Sequence, residues 1–86
     1  MRDAIFAPKP EYPYNDRRLL HEGTALFRLT IDPKTGSTTN VAMIKSTGFP
    51  KLDDEAFNVV RRWRWRPGKW KEVDVPVVFT LTPPRA

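Results

Sequence analysis

The residues of this 86-residue chain that could do chemistry are few, and their spacing argues against an enzyme. His21 is the only histidine and there is no cysteine, so neither a thiolate metal site nor a cysteine nucleophile is possible. Asp53, Asp54 and Glu55 are adjacent, but they are better explained as charges in the first turns of a helix than as an acid/base pair or a metal site. The glycines do not have the spacing of a phosphate-binding loop. The sequence therefore predicts no catalytic residue, no metal ion and no cofactor.

A second chemical candidate is the stretch RRWRWRPGKWK, residues 61–71, where the basic charge of the chain is densest. The formal net charge is +5, and aromatic rings between cations are typical of proteins that bind single-stranded nucleic acid. However, Trp63 continues the apolar stripe of the preceding helix, and arginines near a helix C-terminus interact favourably with its dipole. We therefore interpret the stretch as structural and predict no nucleic-acid partner.

The element that organises the chain is a helix that begins near Leu52. Its apolar residues follow the i, i+4, i+7, i+8, i+11 spacing of one helix face. They are Leu52, Ala56, Val59, Val60 and Trp63. The sequence predicts that Arg61, Arg62 and Arg64 crowd the last turn and that Pro67 with Gly68 ends the helix in a turn. Such a stripe needs a sheet to cover.

Three segments have the period of two that indicates β-strands. In the first, Thr24 to Ile31, alternate apolar residues predict a half-buried strand. The turn sequence DPKTG, residues 32–36, then predicts a hairpin with a second strand in TTNVAMIK, residues 38–45, whose inward face the pattern leaves open. The third strand is predicted from Val73 to Leu81, with Val75, Val77, Phe79 and Leu81 on one face.

Pro76 decides the order of these strands. Because proline has no N–H for a ladder, the third strand is predicted to be an edge strand. The predicted fold class is α+β: a three-stranded antiparallel sheet of order 2-1-3, one main helix on one face, and a short N-terminal helical turn within residues 14–20. Residues 1–11 are predicted to be an extended lead-in or the end of a linker, residues 12–82 the domain, and residues 83–86 a tail. No run of residues approaches the roughly 18–20 apolar residues of a membrane span.

Several short motifs occur in a specific order along almost the full chain. They are Tyr12-Pro13, Glu22-Gly23, Ile31-Asp32, Gly36, Ser46-Thr47-Gly48, Leu52-Asp53, Ala56, Arg61-Arg62-Trp63-Arg64-Trp65, Pro67-Gly68, and Val75-Pro76-Val77 with Phe79. This succession resembles the C-terminal domain of the TonB family of energy-transducing proteins. Trp65 stands where that family more often has Phe or Tyr, so the aromatic ring is kept.

The resemblance implies a periplasmic module of a protein anchored in the inner membrane, with the anchor and a proline-rich spacer outside this chain. Such a module binds the TonB box, a short segment of an outer-membrane transporter, and passes force to the transporter from an inner-membrane motor complex for active uptake. An edge strand can bind such a segment as an added strand. The predicted partner-binding residues are Val73, Asp74, Val75, Val77, Val78, Phe79, Thr80, Tyr12 and Pro13.

Three alternatives stay open at the level of sequence. The first is a TolA-like envelope adaptor, which would bind other periplasmic or outer-membrane proteins. The second is a homodimer formed by strand exchange at the same edge. The third concerns Tyr12 and Pro13, which could pack on the domain and fix the path of the chain instead of contacting a partner.

Overall fold

A computed structural model describes residues 4–81 of the chain. The predicted tail, residues 83–86, lies outside the described residues. The elements in chain order are β1 (Ala4–Phe6), α1 (Tyr14–Arg18), β2 (Gly23–Ile31), β3 (Thr38–Lys45), α2 (Pro50–Val60), β4 (Arg64–Trp65) and β5 (Glu72–Phe79). No helix within residues 4–81 is long and apolar enough to cross a membrane.

The main sheet has three antiparallel strands in the order β3-β2-β5. This is the predicted 2-1-3 order, with the first long strand in the centre and the proline-containing strand at one edge, so the α+β prediction is confirmed. The turn between β2 and β3 contains Gly36 at φ 79°, in the left-handed region. A Cβ atom there would lie 1.9 Å from the carbonyl oxygen of Trp65, so the close approach of these two backbones excludes any other residue.

The core lies between one face of this sheet and α2. The predicted inward residues of the two strands are buried, as are all five residues of the helical stripe. The exception is Leu81, which is half-buried and follows the end of β5 at Phe79. The buried residues are Ala25, Phe27, Leu29, Ile31, Val75, Val77 and Phe79 from the sheet, and Leu52, Ala56, Val59, Val60 and Trp63 from the helix and its extension. Each fully buried large apolar side chain stabilises the fold by about 1.5–3 kcal/mol, which fixes which face of each element points inward.

Strand β3, whose inward face the sequence leaves open, contributes little to this core. Val41 packs against the core, while Ala42, Met43 and Ile44 are exposed. The pairing of β3 with β2 shifts register between Leu26 and Phe27, which explains why the apolar run from Val41 to Ile44 shows no clean alternation.

The predicted C-terminal end of the main helix is wrong. α2 ends at Val60, and its last turn contains no basic residue. The chain makes one tight turn, with the Trp63 N–H donating to the Val60 carbonyl oxygen at 3.0 Å, and then extends into β4, where the Trp65 N–H donates to the Gly36 carbonyl oxygen at 2.7 Å. The reason is that an extended chain directs residues i and i+2 to the same side, so Trp63 and Trp65 can both enter the core.

The N-terminal segment forms a second small sheet that the sequence does not predict. β1 pairs antiparallel with β4, with Ala4 opposite Trp65 and Phe6 opposite Arg64. The short helix α1 is present within the predicted region, although its N-cap is Pro13 and no side chain caps it. The segment from Ala4 to Tyr12, which we call the N-terminal strap, is thereby attached to the end of the α2–β4 unit.

Candidate docking edge and its groove

The predicted partner-binding strand lies at the margin of the sheet. Within residues 4–81, β5 pairs only with β2. Its side chains alternate: Val75, Val77 and Phe79 are buried in the core, while Val78 is 62% exposed. Of the predicted site residues, all except Thr80, Tyr12 and Pro13 lie on β5, and Thr80 directly follows it.

The backbone groups of β5 form two rows. The Ile31 N–H donates to the carbonyl oxygen of Lys71 at 2.7 Å, directly beyond the last residue pair of the β2–β5 ladder. Because hydrogen-bonded and non-hydrogen-bonded pairs alternate in an antiparallel ladder, odd-numbered residues of β5 bond to β2, and even-numbered residues direct their N–H and C=O groups away from it. Pro76 fits this assignment, since it pairs with Leu26 and cannot donate. The outward row of β5 therefore consists of Glu72, Asp74, Pro76 and Val78.

A groove of about 400 Å³ lies beside the C-terminal half of this edge. Its walls combine apolar and aromatic side chains with one lysine. The lining residues are Lys9, Pro10, Tyr12, Trp63, Pro76, Val77, Val78, Phe79 and Thr80. Of the predicted site residues, Val73, Asp74, Val75 and Pro13 do not line it. The groove is therefore formed between half of the open strand edge and the N-terminal strap.

Tyr12 holds the strap against the strand. Its ring packs edge-on against Phe79, with ring centroids 5.2 Å apart, and its hydroxyl donates a hydrogen bond to the carbonyl oxygen of His21. Burial raises the pKa of the Tyr12 hydroxyl, and the nearby carboxylates of Glu22 and Asp16 raise it further. The hydroxyl consequently remains a donor across the physiological pH range. Tyr12 both packs on the domain and forms part of the groove wall.

His21 is half-buried and contacts two other residues of the domain. Its Nδ1 lies 2.7 Å from Oδ1 of Asp16, which is only 5% exposed, and its ring stacks on Phe49 with centroids 4.1 Å apart. These contacts link α1 and the loop before β2 to the start of α2. His21 and Asp16 therefore support the position of Tyr12.

Two further hydrogen bonds fix the strap. Trp63 Nε1–H donates to the carbonyl oxygen of Pro8 at 2.9 Å, and the N–H of Glu11 donates to Oε1 of Glu55 at 3.3 Å. Trp63 thus has two roles, since its ring is part of the core and its indole N–H anchors the far wall of the groove. Glu55, which lies in the acidic cluster, also contributes to this anchoring.

The outer face of the edge carries an ion pair. The guanidinium of Arg28 donates to both carboxylate oxygens of Asp74, at 2.9 and 3.2 Å, and lies 3.8 Å from Glu72. Hydrogen bonding by Arg28 lowers the pKa of Asp74, and the same bond raises the pKa of Arg28. Because the pair is exposed, its contribution to stability is small. Its effect is to hold the Asp74 side chain over β2, away from the outward row of backbone groups.

The sequence model of the family described as "Gram-negative bacterial TonB protein C-terminal" matches residues 8–82. The chain belongs to the TonB family. The TonB protein of Neisseria meningitidis serogroup C is 31% identical over 74 residues, and the tonB2 protein of Pseudomonas aeruginosa is 36% identical over 80 residues. In both cases 86% of this chain is covered, with 26% and 29% of the relatives. The TonB protein of Escherichia coli K12 is 30% identical over 66 residues, which is 77% of this chain and 27% of that protein. The chain therefore spans little more than a quarter of the length of these curated relatives.

The TonB-like motifs have structural partners here. Asp53 of the Leu52-Asp53 motif accepts hydrogen bonds from the Ser46 hydroxyl and from the N–H and hydroxyl of Thr47, the latter two at 2.8 and 2.7 Å. Burial raises the pKa of Asp53, but these hydrogen bonds outweigh it, so the pKa lies below its usual range. Of the three adjacent acidic residues Asp53, Asp54 and Glu55, Asp53 is the one that lies in the first turn of α2. Across residues 4–81, no group of three or more acidic or histidine side chains is placed to hold a metal ion.

The rings of the basic stretch are mostly unavailable for stacking on bases. Trp63 is 9% exposed and Trp65 only 1%, and their ring centroids lie 5.9 Å apart inside the core. Trp70 is 40% exposed. The interpretation of Trp63 as a core residue is confirmed.

The sequence prediction of the site omits four residues that line the groove: Lys9, Pro10, Trp63 and Pro76. A partial signal existed, because Pro8 and Pro10 favour an extended chain that can lie along another element. Nothing in the local pattern indicates which element that is.

Proposed function

We propose that this domain is the docking module of a TonB-like energy transducer. It binds the TonB box of an outer-membrane transporter as an added strand on β5 and transmits force for active uptake. The observation that carries the proposal is the open outward row of β5 beside an apolar groove. An extended segment placed there gains backbone hydrogen bonds from the edge, and its alternate side chains contact the groove.

The chemistry of the groove indicates what the docked segment contains. Side chains of an added strand that point toward α2 meet Tyr12, Trp63 and Phe79, so an apolar residue is favoured there. The ammonium group of Lys9 favours a carboxylate at the same side of the segment. Side chains on the opposite face remain in solvent next to Val78.

The geometry is also suitable for bearing tension. If the partner is pulled along the strand direction, several backbone hydrogen bonds are loaded together and must break at the same time. β5 is itself bonded along its whole length to the central strand β2, so the load passes into the core. A docked segment of modest affinity can thus transmit force without a covalent link.

The remainder of the proposal concerns regions beyond this chain. As in the architecture implied by the family, we place the domain in the periplasm, on a protein anchored in the inner membrane and coupled there to a motor complex. The proposal gives the domain no catalytic step, no cofactor and no nucleic-acid partner. A TolA-like adaptor role is the alternative, although the matched relatives named above are TonB proteins.

The test uses synthetic peptides that span the N-terminal segments of the outer-membrane transporters encoded in the same genome. Titration into the ¹⁵N-labelled domain is expected to shift the amide resonances of residues 73–80 and of Tyr12. Shifts confined to α2, or no shift with any peptide, would refute the docking surface. Peptides from TolA-interacting envelope proteins serve as the control set, and binding of those peptides alone would favour the alternative.

The same edge could also pair with a second copy of the domain. Such a homodimer is the competing use of β5, because any unpaired strand edge is a template for an identical strand.

A further inference from the structure

The outward row of β5 has a gap in its donors. The residues of this row that lie on the strand are Glu72, Asp74, Pro76 and Val78. Each of them presents a carbonyl oxygen away from β2, but Pro76 presents no N–H. The gap lies between the acidic half of the edge and the half that borders the groove.

We propose that Pro76 is a specificity-determining residue, which makes this edge accept one foreign strand in preference to a second copy of the domain. The identity of the foreign strand rests on the proposed function, whereas the effect on self-pairing does not. The proline has no cost for the β2–β5 ladder, since the Leu26–Pro76 pair is a non-hydrogen-bonded one.

The preference follows from symmetry. Two copies that pair β5 with β5 do so about a two-fold axis, so the gap occurs twice, once from each copy. Each gap leaves a carbonyl group of the opposite strand without a donor. A foreign strand meets the gap only once.

Sliding the two copies into the acidic half of the row avoids the prolines but brings carboxylates together. An antiparallel register restricted to the acidic half of the row places Glu72 of one copy opposite Asp74 of the other. Like charges directly opposite each other destabilise a strand pair, and Arg28 of each copy offsets part of this repulsion. Pro76 therefore disfavours self-pairing in the registers that include it, and the two carboxylates disfavour the register in the acidic half.

The test is Pro76→Ala in the 86-residue chain, which adds the missing N–H without adding apolar surface or β-propensity. The matched control is Pro50→Ala, because Pro50 is exposed at the first position of α2 and its replacement relaxes the unfolded chain in the same way. Sedimentation equilibrium measures self-association, and amide hydrogen exchange measures whether the new N–H at position 76 is protected.

Pro76→Ala is expected to dimerise with a dissociation constant at least about tenfold lower than that of Pro50→Ala, because two missing hydrogen bonds are restored per dimer. At concentrations where the variant is monomeric, the new amide is expected to exchange rapidly. Equal self-association of the two variants, or a protected amide at position 76 in the monomer, overturns the proposal. Failure of the transporter peptides to bind the wild-type domain would instead refute the proposed function, and it leaves this comparison intact.

Discussion

Proline substitutions at two neighbouring positions of β5 provide the sharpest test of the docking edge. Val77 belongs to the inward row and is 7% exposed, whereas Val78 belongs to the outward row and is 62% exposed. Val77→Pro removes an N–H that bonds to β2, and Val78→Pro removes one that points away from it. The two variants have the same chemistry and differ only in which row of backbone groups is interrupted.

The expected effects on stability differ strongly. Val77→Pro loses a ladder hydrogen bond, orphans a carbonyl group of Ala25 and disturbs buried packing, at a cost of about 3 kcal/mol or more. For a domain of this size that cost lowers the melting temperature by roughly 12–24 °C or unfolds the protein. Val78→Pro is expected to cost less than about 1 kcal/mol, because edge strands tolerate proline where the N–H faces solvent.

In contrast to its small effect on stability, Val78→Pro should have a large effect on peptide binding. Val78→Pro is expected to fold and yet to bind the transporter peptide about 5- to 100-fold more weakly, since one hydrogen bond is lost and the peptide carbonyl opposite it is desolvated. Met43→Pro is the control. It places a proline in the other edge strand, β3, at the non-hydrogen-bonded pair with Phe27, and should leave peptide binding unchanged.

Thermal unfolding followed by circular dichroism and peptide titration followed by calorimetry measure the two effects. Equal destabilisation by Val77→Pro and Val78→Pro would show that the assignment of the two backbone rows is wrong. Wild-type affinity in a folded Val78→Pro variant would show that the partner does not bind along this edge.

Three other substitutions test the interior. Trp63→Ala should lower the free energy of unfolding by about 3–5 kcal/mol, since a buried indole and its hydrogen bond to the strap are lost; an unchanged melting temperature would contradict the packing. Asp53→Asn should destabilise the domain at neutral pH, while the exposed Asp54→Asn should not. Because the folded-state pKa of Asp53 is lowered, the Asp53 carboxylate stabilises the fold above its unfolded pKa of about 3.9. This stabilisation is lost as the pH falls through the lower folded-state pKa, so the two variants should become equally stable in acid. Chemical denaturation measured between neutral and acidic pH checks this. Gly36→Ala should destabilise the domain far more than Gly48→Ala. Both glycines have positive φ, but a Cβ atom at Gly48 meets no atom within 4 Å, so Gly48→Ala should cost only about 1–2 kcal/mol. Similar chemical-denaturation midpoints for the two variants would contradict the close approach at Gly36.

The sequence by itself determined the sheet and the buried face of its covering helix. The alternation in β2 and β5 and the stripe from Leu52 to Val60 are local patterns, and each has one orientation that removes its apolar side chains from water. Pro76 then fixed the strand order, because a residue without an N–H excludes a central strand at that register. The order of the motifs indicated the TonB family, because the motifs contain the residues that these strands, turns and the helix require.

Only the tertiary structure decided where the helix ends and how the groove forms. The spacing from Val59 to Trp63 is compatible with a helix, and the chain leaves it because Trp65 bonds to a hairpin turn and both indoles enter the core. The groove depends on contacts between distant residues, such as Trp63 with Pro8, 55 positions apart. A periodic pattern reports which side of an element is buried, but it contains no information on which remote segment crosses that element. That second choice is made by packing, which places the N-terminal strap beside the open edge of β5 and so forms the groove.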